Sequence, residues 1–267
     1  MLRNFFEIRG KLSGKNKLVM EVIGLFLMLL VWHLVSTSGL ISQSLLPSPV
    51  MVLTSIPTLH FDDALIRNLF YSIKLNTIGY VEAIAFCIPV GFLIGIFPLF
   101  NGLFSKHVDA LRFVPLTALT GLFIAWFGIE DVMKIQFLAF GIVVYLLPVV
   151  AQRIAEVDEV YQQTAFTLGA SRWQMIRKVF FPAVLSKISD DIRVLVAISW
   201  TYIIIAEMLN KSNGVGALIH TAARQSRIDK VFALLFIIIV VGFLQDMLFK
   251  WIDKLLFAHK HVQNERG

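Results

Sequence analysis

Residues 18–40 read LVMEVIGLFLMLLVWHLVSTSGL, a run whose only formal charge is Glu21. A helix needs about 20 mostly apolar residues to cross the hydrocarbon of a bilayer. This run is long enough and apolar on all faces, so it predicts a spanning helix rather than the core of a soluble domain. It is too long for the apolar stretch of a secretory signal, and no small-residue cleavage site closes it. The basic residues before it (Arg3, Arg9, Lys11, Lys15, Lys17) read as a topogenic flank, not as an arm for nucleic acid.

The rest of the chain agrees with that first run. Of 267 residues, 57% are hydrophobic and 16% charged, with a mean hydropathy of +0.77. Soluble domains carry about 25% charge. Further apolar runs at 69–100, 113–129, 132–154, 188–209 and 230–256 give six expected spans in an all-α, polytopic fold. The connector at 41–63, with Pro47, Pro49 and Pro57, is expected to be exposed, with room for a short interfacial helix. The run at 113–129 holds Pro115, Thr117, Thr120 and Gly121, which suits a face toward protein or a pathway better than one toward lipid. The expected organisation is a tail at 1–17, a membrane domain at 18–258 and a second tail at 259–267.

Six spans put both ends on one side. The side holding the termini collects 17 of the 24 Lys and Arg residues, the other side 5, and Arg67 and Lys74 stand at the start of the second span. Basic residues concentrate in cytoplasmic loops, so both termini are expected in the cytoplasm. The same side holds the one long stretch that cannot span, residues 155–187. Within it Val157, Val160, Tyr161, Thr164, Ala165 and Leu168 recur at helical spacing. Gly169 can end that helix, Ser171 can cap another, and Pro182 is expected to break the chain before the fifth span. The residues alone allow either a solvated elbow lying on the headgroups or a docking surface.

Catalytic chemistry finds little support. Cys87 is the only cysteine and sits in an apolar run, where it reads as a small buried hydrophobe. The six histidines are scattered, and the one close pair, His259 and His261, reads as a solvated tail. No Gly-x-x-x-x-Gly-Lys-Ser/Thr phosphate loop is present. Polar residues inside spans are functional candidates by default. Thr117, Thr120, Arg193, Ser199, Trp200, Thr201 and Glu207 are candidate pathway residues, with interhelix packing as their other reading. Arg193 could instead snorkel or bind Asp190 or Asp191, and Glu82 could shape the bundle or face a pathway.

The stretch EVDEVYQQTAFTLGASRWQMIRKVFFP at 156–182 resembles the EAA loop of ABC-transporter permease subunits. That pattern is Glu-Ala-Ala, three residues, Gly, then a hydrophobic residue and Pro further on. Here Gln163-Thr164-Ala165 precedes Gly169 by three residues, and Phe181-Pro182 closes the pattern. Gln163 and Thr164 depart from the usual Glu and Ala. Leu46-Pro47-Ser48-Pro49, Arg112-Phe113-Val114-Pro115, Trp126-Phe127-Gly128-Ile129, Arg193 with Trp200 and Glu207, and Gly214-Val215-Gly216 look like the nitrate, sulfonate, taurine and bicarbonate branch. Asp190-Asp191 and Ser186 depart from the branch's usual glycine and proline.

The resemblance implies a permease of the type I importer fold in a bacterial cytoplasmic (inner) membrane. It implies a homodimer with a second copy, two copies of a separate ATPase subunit holding ATP-Mg, and a periplasmic or lipid-anchored substrate-binding protein. No cofactor is expected on this chain. Gln163, Thr164, Ala165, Leu168, Gly169, Ala170, Ser171, Arg172 and Pro182 would form the ATPase-coupling helix. The implied cargo is a small anionic or organic nutrient. A secondary transporter is the alternative; it would need ion-coupling carboxylates near the midplane, for which only Glu82 is a candidate. A membrane-embedded enzyme would need a clustered acid, base or metal set, which the sequence lacks.

Overall fold

The computed structural model describes residues 13–210 and 212–257. Most of the first expected tail and all of the second, with His259 and His261, lie outside the described residues, as does Lys211. All regular structure among the described residues is helical: α1 (Gly14–Thr37), α2 (Pro49–Phe61), α3 (Leu65–Ile96), α4 (Pro98–Leu111), a 3₁₀ turn (Leu116–Leu119) running into α5 (Thr120–Phe127), α6 (Asp131–Ala155), α7 (Glu159–Thr167), α8 (Arg172–Met175), a π-helical turn (Ile176–Phe180), α9 (Phe181–Asn210), α10 (Val215–Arg224) and α11 (Ile228–Leu256). Five helical stretches are long and apolar enough to cross a membrane, and a sixth forms if the two arms around residues 112–115 make one span.

That sixth stretch corrects the expected third span. Instead of a straight helix at 113–129, α4 and the 3₁₀–α5 arm meet at 93°. Pro115 is the cause: it has no N–H to give a helix, and it drives the residue before it toward extended backbone. Its own ψ of 111° continues the break. Neither arm alone reaches the roughly 30 Å of hydrocarbon.

The chain divides into two compact units. The first runs to Asp63 and includes Ala222–Ala233. In it α1 is exposed along almost its whole length, Ser36 excepted, as suits a helix solvated by lipid. Trp32 donates to the Pro47 carbonyl at 3.0 Å and stacks on Phe232 at 5.8 Å. The connector carries α2, capped by Ser48 with Pro49 at its first position. Ser55 bonds the Asp229 carbonyl, and Lys230 pairs with Asp63 at 2.5 Å.

The second unit, Ala64–Thr221 with the chain from Leu234 onward, is built on α3, α6 and α9. Its core includes Leu75, Cys87, Leu138, Ile142, Leu146, Val150, Ile188 and Ile203, all at 1% exposure or less. Small residues bring the first two helices together. A Cβ on Gly79 would lie 2.9 Å from both the Ile135 carbonyl and Leu138 Cδ2, one on Gly91 would overlap Val150, and one on Gly95 would meet Ile154 at 2.8 Å. In lipid, helices associate through such close packing and through polar contacts, since the hydrophobic effect no longer separates them from solvent. The polar contacts are present too: Asn76 of α3 donates to Ser199 of α9 at 3.0 Å, and Tyr80 donates to the Ile192 carbonyl.

Replacing Gly79 by Leu is expected to wedge α3 from α6 and cost about 1–3 kcal/mol, as overpacking does. Gly24→Leu on α1, where nothing lies within 4 Å, is the control. Thermal unfolding in detergent checks this; equal midpoints for the two variants would contradict the packing assignment.

Candidate functional site

The stretch outside the spans folds as a helical elbow. Asp158 caps α7 by accepting from the Val160 N–H at 2.9 Å. At the other end the Gly169 N–H bonds the Phe166 carbonyl and the Ala170 N–H the Ala165 carbonyl, both at 2.9 Å. This is a Schellman closure, and it requires a left-handed residue; Gly169 supplies it at φ +76°. Nothing crowds that position, so the backbone angle, not space, is what asks for glycine. Ser171 and Gln174 then form a capping box, with Ser171 N–H to Gln174 Oε1 at 2.8 Å and Gln174 N–H to Ser171 Oγ at 3.3 Å.

Pro182 does not break the chain. The π-helical turn widens the backbone just before it, so that Phe181 N–H reaches the Ile176 carbonyl. A proline clashes with the carbonyl four residues back in a regular helix, and a π-turn relieves such a clash. The helix continues, and residues from Arg172 to Leu209 form one 38-residue stretch. That is about 57 Å long, close to twice the hydrocarbon thickness, so its first part stands clear of the membrane.

The elbow leaves apolar side chains exposed. Val160, Tyr161, Phe166 and Trp173 are more than half exposed, and Leu168 at its tip is 82% exposed. Behind them lies a groove of about 710 Å³ between α7 and the start of α9, lined by residues such as Tyr161, Ala165, Leu168, Val179 and Lys187. Its rim is ionic. Arg153 holds Asp191 through two bonds of 2.7 and 2.8 Å and Glu156 at 2.9 Å. The Arg153 hydrogen bond keeps the Glu156 carboxyl below the usual carboxylate range. Of the nine residues carried over from the loop resemblance, eight lie in α7, the turn and the start of α8, and Pro182 follows one π-turn later.

The candidate pathway residues do not gather into one site. Thr120 donates to the Thr117 carbonyl at 2.9 Å within the α4–α5 break, and Thr201 is exposed. Ser199 is buried against Asn76, and Trp200 donates to Gln245 of α11 at 2.5 Å. Arg193 meets Asp246 at 3.2 Å and Asp190 only at 3.9 Å, while Asp191 is taken by Arg153. Glu207 is fully buried. Its carboxylate accepts from Ser72 at 2.6 Å and from the Gly216 N–H at 2.8 Å, while the Val215 N–H bonds Ser72 and the Gly214 N–H bonds Asn68. Side chains at 214 and 216 would collide with Glu207 and with the Ile204 carbonyl, which is why the segment folding over this carboxylate reads Gly-Val-Gly. Nearby, Lys134 is buried under Tyr71, with Nζ 2.9 Å from its hydroxyl, and Tyr71 donates to Asp131. Sequence reasoning missed Ser72, Asn76, Lys134 and Gln245; a polar residue inside an apolar run was the available signal.

Glu207→Leu leaves the Ser72 hydroxyl and the Gly216 N–H buried without their acceptor, a loss of about 1–3 kcal/mol. Glu207→Gln keeps acceptor capacity and is expected to lose less. Thermal unfolding, with protease sensitivity of the segment at 212–216, reads the difference; identical behaviour would show that the carboxylate does not hold this segment.

A bundle of apolar helices with buried polar groups between them and an exposed helical elbow fits an integral membrane subunit of the transporter kind. The sequence matches the family described as "Binding-protein-dependent transport system inner membrane component" over residues 87–257, and the chain belongs to that family. It is a permease of the ABC importer class. It is 30% identical over 231 residues to SsuC of Bacillus subtilis (strain 168), a permease named for aliphatic sulfonates, covering 86% of this chain and 84% of that one. It is 29% identical over 240 residues to the taurine transport system permease protein TauC of Escherichia coli (strain K12), covering 87% and 86%. The fold is also that of the membrane subunit of the MetNI methionine ABC transporter in an inward-facing conformation, at TM-score 0.61 and 16% identity over 72% of this chain and 95% of the other. A bacterial importer of the acidic polysaccharide alginate gives TM-score 0.59 at 16% identity over 89% and 96%.

Proposed function

We propose that this chain forms the membrane pathway of an ATP-driven importer for a small anionic or organic nutrient, and that its elbow couples the pathway to a separate ATPase. The observation that carries this reading is the exposed apolar surface of α7 and the Gly169 turn on a stretch continuous with α9. Apolar side chains set in water beside a membrane helix invite a protein partner. In this reading Gln163, Thr164, Ala165, Leu168, Gly169, Ala170, Ser171, Arg172 and Pro182 form the docking helix and its support. Two ATPase subunits hold ATP-Mg, and this chain binds no cofactor of its own. A second copy of the chain completes the pathway, with Thr117, Thr120, Arg193, Ser199, Trp200, Thr201 and Glu207 lining or supporting it. A periplasmic or lipid-anchored binding protein delivers the cargo. The chain sits in the bacterial inner membrane with both termini cytoplasmic, as the basic-residue bias supports.

The cargo class follows the relatives. Besides SsuC and TauC, the chain is 24% identical over 246 residues to a formylaminopyrimidine transport permease protein, ThiX, of Halalkalibacterium halodurans. Small sulfonates and small nitrogenous organics are therefore the candidates.

A tagged chain purified from membranes is expected to carry an ATPase subunit with it. Leu168→Asp alters only an exposed tip, so the protein should reach the membrane at normal levels. The substitution would place an unpaired carboxylate in an apolar contact, which costs more than about 1.4 kcal/mol, so ATPase recovery and ATP-driven uptake should each fall about tenfold or more. Undiminished recovery and uptake in that variant would refute the docking role of the elbow.

A further inference from the structure

Glu82 is the one carboxylate of α3, and its place in the membrane follows from helix length alone. It lies 17 residues after Leu65 and 14 before Ile96, the ends of α3, so about 25 Å from one end and 21 Å from the other. The hydrocarbon is about 30 Å thick. Every way of setting this helix across it leaves Glu82 inside. There the side chain is exposed on the flank of the unit, and Gln136 of α6 donates to its Oε1 at 2.8 Å. Its Oε2 meets no donor among the described residues. A neutral amide does not balance a carboxylate, and a charge turned toward lipid at this depth is costly, which is why such groups face protein or a cavity.

Beside the pair lies a cavity of about 520 Å³ with aromatic walls, including Phe86, Phe123, Trp126 and Phe140. No lysine, arginine or histidine lines it. The volume suits a small organic ligand. The chemistry suits one kind: a carboxylate and an amide oxygen as acceptors, with ring faces around them, attract a cationic nitrogen through charge-assisted hydrogen bonds and cation–π contact. An anion would meet repulsion from Glu82, with only the neutral Gln136 amide and the Trp126 indole N–H as side-chain donors and no cation to balance it.

We propose that this cavity is a way-station of the transport pathway and that the cargo carries a protonated amine or another cationic nitrogen, recognised by Glu82, Gln136 and the aromatic walls. The proposal rests on the importer reading, in which a second copy of the chain closes the open side. It narrows that reading from sulfonates and inorganic anions in general to aminated or zwitterionic organics. Glu82 and Gln136 select the cationic end; an acidic end, where there is one, is bound elsewhere.

The test uses the full chain, purified in lipid nanodiscs with whatever subunits accompany it, and isothermal titration with three probes. 2-Aminoethanesulfonate and 2-hydroxyethanesulfonate differ in the amine alone, and butylammonium is a bare cation. Both amines are expected to bind in the millimolar range or tighter, and the hydroxyl compound about tenfold more weakly or not at all. In Glu82→Gln, which keeps an acceptor for Gln136, amine binding should fall to the level of the hydroxyl compound with thermal stability unchanged. Trp126→Leu, at an exposed wall position, should weaken both amines and spare the hydroxyl compound. Equal binding of the amine and hydroxyl compounds, absence of amine binding, or unaltered amine affinity in Glu82→Gln would overturn the proposal. Failure of any ATPase to co-purify would instead count against the importer reading, and the comparison of Glu82 with its Gln variant would still be read.

Discussion

The helix from Arg172 to Leu209 is the constraint on which the rest depends. It begins at a capping box, passes Pro182 without stopping, and ends beside the Glu207 cluster. A break at Pro182 would leave the elbow hinged to the bundle, and force applied at α7 would be lost in bending. With the π-turn in place the helix is continuous from Arg172 to Leu209, so in the proposed coupling a displacement of the elbow would carry α9 with it. The two-state element that such coupling needs would then be the setting of α9 against α3 and α6. The Arg153–Asp191 pair adds a second attachment, fixing the end of α6 to α9.

Much of this was legible in the sequence because lipid imposes length. Apolar runs of 20 residues or more located α1, α3, α6 and α11 to within a few residues and the end of α9 to within one, while α9 starts seven residues before the expected 188; the glycine and serine at 169 and 171 marked the elbow by local backbone rules. The departures have local causes as well. Pro115 turned an expected straight span into two arms, and Pro182 was accommodated where a break was expected. Both are prolines, and the outcome turned on whether the neighbouring backbone could widen, which composition does not reveal. The partners of buried polar groups were the least legible. Asn76 with Ser199, or Trp200 with Gln245, are choices made by helix rotation across more than 40 residues of intervening chain.

The buried polar groups also show how the unit tolerates its own chemistry. Glu207, Lys134, Asn76 and Ser199 are all at 3% exposure or less, and each has a partner on another helix or on the Gly214–Gly216 segment. Groups left unpaired in hydrocarbon cost several kcal/mol each, so the partners hold the helices in one rotation and register. The Gly-Val-Gly sequence belongs to this logic: only backbone N–H groups without side chains come close enough to close over a buried carboxylate.

Against that background Glu82 stands apart. The other carboxylates of α9 and α11 have cations, hydroxyls or backbone donors beside them; Glu82 has one neutral amide and an open aromatic cavity. A sequence that satisfies its membrane carboxylates elsewhere, and leaves this one half satisfied within the hydrocarbon, has placed an interaction there for something that is not always present. Cargo moving through a pathway meets that condition, since it must bind well enough to enter and weakly enough to leave. A fully neutralised Glu82 would remove the attraction, and one buried between helices would remove the access. The half-satisfied, half-open arrangement keeps both.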